Sequence, residues 1–232
     1  MVPRLQGRRA ARPTGLHADA AAELLVGALQ ARHPEAGQAY CALRAWALLV
    51  WQPAYASVLA VELAGGVLPL ADLRWDVDVA EADVTGFQSP AVELMAAAPG
   101  ERRALAARQL QPMVAALRDA VQARLPLHPK AARLMLADCV LSALLRAQPA
   151  TQRTDDEIRR SGAGWLEALG AVGDSGYLAF DTAAGTSRLA LDRGICCLDD
   201  RRAGGDLCNT CPRLPRAERR RRLHAEALRN SA

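Results

Sequence analysis

Lysine is almost missing from this 232-residue chain: Lys130 is the only one, so nearly all of the positive charge among 29 basic residues is arginine. Aromatic residues make up only 4% of the chain, which leaves no platform for stacking bases, and no helix-turn-helix with a recognisable turn occurs. No nucleic-acid partner is therefore expected. Histidine is scarce and scattered. His17, His33, His128 and His224 form no H-x3-H or Glu-x2-His pair, so each is read as a surface or helix-end residue. No Walker A sequence and no G-x-S-x-G elbow is present, which removes support for phosphate transfer and serine hydrolysis. The stretch "GAGWLEALG" from Gly162 departs from the dinucleotide fingerprint at Glu167 and follows a helix, so electrons for any redox reaction must come from a separate donor.

A long apolar run is missing too. The start, "MVPRLQGRRAARPTG", carries Arg4, Arg8, Arg9 and Arg12, but Asp19 and Glu23 follow it where a signal peptide would be uninterrupted. The longest uncharged stretch, residues 45–61, is short for a membrane span and contains Gln52 and Pro53. It reads as two buried core helices meeting at Pro53. The expected location is the cytoplasm, where thiols stay reduced.

What is present suits a folded protein. The chain is 51% hydrophobic and 23% charged, and long enough to bury a core without covalent staples. Apolar spacing near 3.6 predicts helices over residues 16–33, 35–63, 91–98, 101–123, 129–147 and 154–169, the last opened by a capping box of Thr154 and Glu157. Alternation through Leu73, Trp75, Val77 and Val79 predicts a strand, with a second near Val84. "GYLAFDTAAGTSRLALDRG" reads as a hairpin around Ala184 and Gly185. The expected class is α+β: a predominantly helical body with short antiparallel strands over residues 1–190, then a small C-terminal segment, 191–232, ending in a basic helix. Trp46, Trp51, Trp75 and Trp165 are expected in the core, as are Cys41 and Cys139, which sit inside helical patterns.

Four of the six cysteines fall in one window, as C-C-x10-C-x2-C: Cys196, Cys197, Cys208 and Cys211. In reducing surroundings such a group points to a metal before a disulfide framework. Cys208 and Cys211 share a tight turn through Asn209 and Thr210. Cys196 and Cys197 would point to opposite faces of an extended backbone, so both can ligate only if the chain bends there. Gly204 and Gly205 supply a closing loop. Three readings stand on these residues: a structural zinc site, free cysteines and an iron–sulfur cluster. Zinc sites of four cysteines usually pair two C-x2-4-C knuckles, which a C-C first half does not match.

The C-C-x10-C-x2-C spacing resembles that of the FhuF-type ferric siderophore reductases, whose [2Fe-2S] cluster is held by four cysteines in this arrangement. The resemblance implies that Cys196, Cys197, Cys208 and Cys211 are the cluster ligands, with no catalytic acid or base required. It also implies one-electron reduction of siderophore-bound Fe(III) to Fe(II), with iron released in the cytoplasm. The expected partners are a ferric siderophore as substrate and a separate electron donor, a flavin reductase or a ferredoxin-like protein. The arginine-rich tail, Arg213 to Arg229, reads either as a solvated helix face or as a contact surface for the inner membrane, an acidic electron donor or nucleic acid, the last set aside above. Two alternatives use the same cysteines: a [2Fe-2S] electron-transfer or redox-sensing protein, and a zinc-stabilised interaction protein.

Overall fold

Alanines interleaved with larger apolar residues at helical spacing let helices pack closely, and the first two helices of the chain are built that way. The computed structural model describes residues 15–91, 93–182 and 185–231; Arg4, Arg8, Arg9 and Arg12 lie outside the described residues. Helix α1 (Ala18–Arg32) leads through a 3-10 turn, Pro34–Ala36, into the long α2 (Gly37–Glu62). After two strands come α3 (Arg102–Gln122), α4 (Pro129–Thr151) and α5 (Asp155–Ala168); a second hairpin and α6 (Arg216–Ser231) follow. The class is α+β, as expected.

Helix α2 is the centre of the core. It packs against α1, α3 and α4 and buries Tyr40, Trp46, Leu49, Val50 and Val58. By length and composition it is the one described helix that could cross a membrane. Here the indole of Trp46 donates to the carbonyl of Ala132 on α4 at 3.0 Å, so that polar edge is satisfied inside the fold.

Pro53 does not separate two helices. Helix α2 runs through it unbroken. Proline has no N–H for the carbonyl four residues back, which is that of Leu49. The indole N–H of the buried Trp75 donates to that same carbonyl at 2.9 Å and takes the place of the missing bond. A similar correction applies at Pro149: α4 was expected to end at 147 and continues to Thr151, stopping at Gln152 in the left-handed conformation.

Strands β1 (Arg74–Asp78) and β2 (Asp83–Gln88) form an antiparallel pair with a bulge between Asp76 and Val77. Leu73, Trp75 and Val77 face the core as the alternation requires, whereas Val79 falls in the turn beyond the strand and is exposed. The described residues of 91–98 are not helical. The stretch lies between Pro90 and Pro99, too short for a stable helix, and Met95 instead bridges Val67 through a pair of backbone hydrogen bonds. Strands β3 (Gly176–Asp181) and β4 (Ser187–Asp192) pair antiparallel from Gly176↔Asp192 to Asp181↔Ser187. Helix α6 lies on this hairpin through Leu223, which packs with Leu178 and Ala190.

The capping box of α5 is formed: the Thr154 hydroxyl accepts from the Glu157 amide, and the Glu157 carboxylate accepts from the Thr154 amide at 2.8 Å. One buried carboxylate ties the helices together at the other end. Glu62, on α2, is 3% exposed; it pairs with Arg153 and with Arg103, and it accepts from the buried Trp165 indole at 2.8 Å. Glu62→Ala leaves that indole without an acceptor and releases two arginines to solvent. The expected cost is about 2–3 kcal/mol, read as a fall in the thermal midpoint. An unchanged midpoint would show that the carboxylate is dispensable.

Candidate metal centre

Strand β4 ends at Asp192, and the next residue begins the cysteine segment. Arg193 donates from Nε to Oδ2 of Asp138 at 3.2 Å, and the amide of Gly194 donates to Oδ1 of the same carboxylate at 3.2 Å. Asp138 sits on α4 with its side chain 2% exposed, so the entry of the segment is pinned to the body from inside. A Cβ at position 194 would lie 2.5 Å from Oγ of Ser175, which is why the chain needs glycine there.

The bend that adjacent cysteines require is present. Leu198 has φ 59° and ψ 17°, the left-handed region, and a 3-10 turn, Asp199–Arg201, follows it. The turn folds the backbone back, so that the Leu198 amide donates to Sγ of Cys196 at 3.4 Å. The return loop passes Gly204, at φ 71°, and Gly205, where a Cβ would strike the carbonyl of Asp199 at 2.0 Å. The amide of Ala203 donates to Oε1 of Glu35 at 2.9 Å, which ties the loop to the 3-10 turn between α1 and α2. Cys208 and Cys211 share a turn closed by the Cys211 amide on the Cys208 carbonyl at 3.0 Å.

The four thiols come together in two pairs, and none is in a disulfide. The Cys211 thiol donates to Sγ of Cys196 at 3.6 Å. Cys197 and Cys208 are close enough to shift each other's protonation, Cys197 raised and Cys208 lowered. Metal–thiolate bonds of about 2.3 Å at tetrahedral angles place two sulfurs of one metal about 3.7 Å apart, close to the first spacing. Among the described residues no three His, Cys, Asp or Glu side chains are grouped to hold a single ion. The grouping is two and two.

The electrostatics separate the thiols further. The hydrogen bond from Cys197 lowers Cys208 to about 5, with help from the Arg193 charge and from Thr210, whose Oγ1 is 3.8 Å from the sulfur. Cys197 holds the proton of that pair and is pushed up, first by the same hydrogen bond and then by burial. Burial raises Cys211 to about 11. Metal uptake at this site must therefore expel protons from the thiols. Burial alone would lower Arg193, but Asp138 and the two cysteines outweigh it and raise its pKa, keeping it charged. Its Nη1 is 3.9 Å from Sγ of Cys208 and its Nη2 is 3.5 Å from Sδ of Met135.

Arg193 and Asp138 also line a cavity of about 480 Å³ between α2, α4, β2 and β4, with Arg44, Trp51, Tyr55 and Met135. Trp51 was expected in the core. It is instead 38% exposed on this wall, edge to face with Tyr55 at 5.6 Å between ring centres. Trp46, Trp75 and Trp165 are buried as expected. Cys139 lines the same cavity, is 9% exposed, and its thiol is pushed up to about 12 by burial; Cys41 is buried. The histidines hold helix-end and surface positions; His128, for example, caps α4 by accepting from the Lys130 amide. Asp138 was missed in the sequence. Its signal was one carboxylate inside the otherwise apolar run "MLADCVLSALL".

The cysteine loop, its paired thiols and its buried cationic neighbour define an iron–sulfur protein. Residues 193–213 match the family model of the FhuF 2Fe-2S C-terminal domain, which indicates a [2Fe-2S] cluster as the cofactor of this segment. No solved structure matches the chain.

Proposed function

We propose that the protein is a ferric siderophore reductase and that Cys196, Cys197, Cys208 and Cys211 hold its cluster, Cys196 with Cys211 and Cys197 with Cys208. A two-iron cluster takes four thiolates two by two, whereas a single zinc ion would need all four around one point. When bound, the cluster supplies one electron at a time, and the conversion of Fe(III) to Fe(II) needs one.

The observation that carries the reading is the position of Arg193, whose guanidinium is at once wall of the cavity and neighbour of the Cys208 sulfur. A chelate in the cavity therefore lies one side chain from the cysteine group. The volume is in the range of small-molecule sites, and Arg44 and Arg193 suit the negative charge of oxygen-donor chelates. Trp51 and Tyr55 offer an apolar wall for the ligand backbone. Hard oxygen donors hold Fe(III) far better than Fe(II), so reduction releases the metal. No residue of the chain has to move a proton for this.

The test is anaerobic mixing of the dithionite-reduced protein, freed of excess reductant, with ferric hydroxamate and ferric catecholate chelates in the presence of a ferrous trap. Appearance of the coloured ferrous complex in step with reoxidation of the protein supports the reading. Reoxidation by oxygen with no ferrous product from any chelate refutes it and leaves an electron-transfer or sensing protein. Trp51→Ala is expected to raise KM for the chelate five-fold or more with little change in kcat and no change in the visible spectrum, because it removes cavity wall and touches no cysteine. A wild-type KM would place the chelate elsewhere.

A further inference from the structure

The net charge of the chain is concentrated on its last 40 residues. Residues 193–232 carry ten arginines against five carboxylates, while residues 1–192 carry 19 basic and 20 acidic side chains. Some of those arginines are structural. Arg219 is buried against Asp192, Arg222 donates to the carbonyl of Leu207 at 3.0 Å, and Arg193 is held by Asp138. Others are exposed: the side chains of Arg213, Arg216 and Arg221 are 52%, 60% and 78% accessible, and Arg220 is exposed beside them.

These exposed arginines begin at the cysteine group. Arg213 pairs with Asp200, whose other carboxylate oxygen accepts from the Cys196 thiol at 3.9 Å, and Arg216 pairs with Asp192, next to Arg193 in the chain. Arg220 continues the row to the carbonyl of Ala179 on β3. The cavity thus meets the cysteines through Arg193 at Cys208, and the arginine face meets them through the Arg213–Asp200 pair beside Cys196. The chain shows no dinucleotide fingerprint of its own, so the electron must arrive from outside.

We propose that Arg213, Arg216, Arg220 and Arg221 form the docking surface for an acidic one-electron carrier protein of the ferredoxin type. The proposal rests on the redox reading of the cluster and deepens it by assigning the donor's place. One electron leaves the donor, which is oxidised, and enters the cluster, which is reduced; no bond is made or broken and no proton is required. An arginine face steers an acidic partner into productive contact and makes the encounter fast at low salt. A lipid surface is the poorer match. A helix lying on a bilayer inserts an apolar face, and α6 has spent its own on the hairpin: Leu223 is buried against Leu178 and Ala190, and among the described residues of α6 Leu228 alone is a large exposed apolar side chain.

The test uses the full chain with its cluster reconstituted, mixed in stopped flow with a reduced acidic plant-type ferredoxin, and followed at wavelengths where the two clusters differ. The wild-type rate constant is expected to fall at least ten-fold between 20 mM and 500 mM salt. The double variant Arg220→Glu/Arg221→Glu should be at least ten-fold slower at low salt and nearly insensitive to it. Calorimetry of the two oxidised proteins should show binding for the wild type and none for the variant, a readout independent of turnover. Dithionite-reduced variant should still release Fe(II) from a chelate at the wild-type rate, which separates this surface from the reductase reading. Equal ferredoxin rates in both proteins overturn the proposal. So does loss of binding to phosphatidylglycerol vesicles in the variant with an unchanged ferredoxin rate, which would assign the arginines to lipid.

Discussion

Cys208→Ser is expected to yield a colourless protein with less than a tenth of the wild-type iron and sulfide, while Cys139→Ser keeps both. Cys208 is held near 5 by Cys197, the charge of Arg193 and the hydroxyl of Thr210, a thiol that gives up its proton readily and so suits the ligand role proposed for it. A serine hydroxyl there is a far harder and more basic ligand, and it leaves Cys197 without its partner sulfur. Cys139 is buried in the wall of the cavity with its thiol raised to about 12. It behaves as a small apolar side chain, so serine costs stability of order 1 kcal/mol and no iron. Iron, sulfide and the visible spectrum after anaerobic reconstitution decide the matter. Equal iron in the two variants would remove Cys208 from the ligand set.

The second large effect belongs to Asp138 and Arg193. Asp138→Ala strands a guanidinium that is only 18% exposed and deprives the Gly194 amide of its acceptor. Breaking a buried pair from one side costs about 3–5 kcal/mol, enough to unfold a marginal domain, so the expected result is a fall of several degrees in the thermal midpoint. The gentler Asp138→Asn keeps a side chain of the same shape and removes one negative charge. Arg193→Leu removes the positive one. Since reduction adds negative charge to the cluster, Asp138→Asn should raise the midpoint potential and Arg193→Leu should lower it. A single charge about 6 Å away, at an effective dielectric near 20, is worth about 3 kcal/mol, or about 120 mV for one electron; partial compensation within the pair makes this an upper bound. Shifts of the same sign in both variants would show that the pair acts through structure and not through charge.

These two residues also mark the limit of what the sequence could show. The C-C-x10-C-x2-C spacing located the cysteine group because four cysteines within sixteen residues are legible without tertiary context. The capping box at Thr154 and Glu157 was equally plain, since both partners lie within four residues and the motif needs no tertiary context. Residues 91–98 misled, because apolar periodicity says nothing about Val67, the distant residue that captures Met95. Pro53 misled for the same reason: the rule that proline breaks a helix holds unless another donor fills the vacant carbonyl, and Trp75 is 22 residues further on. Trp51 was assigned to the core by its neighbours, although it faces a cavity that forms only when β2 and β4 meet α2 and α4. Asp138 carried a signal, a carboxylate alone in an apolar helix, but its partner was 55 residues away.

The hydrogen bond from Ala203 to Glu35 joins residues 168 apart in the chain. Contacts of such separation close late, after the nearer pairings of α1 with α2 and of β3 with β4 have repaid their own loop entropy. The cysteine loop is therefore expected to settle after the helices α1 to α5, which late hydrogen-exchange protection of the Ala203 amide in refolding would show. During synthesis the order of emergence runs the same way, with the body leaving the ribosome ahead of all four clustered thiols. Iron loading is then expected to follow assembly of the helical body, and a loading rate that falls when Glu35 is replaced by alanine would show that it waits on closure of this loop.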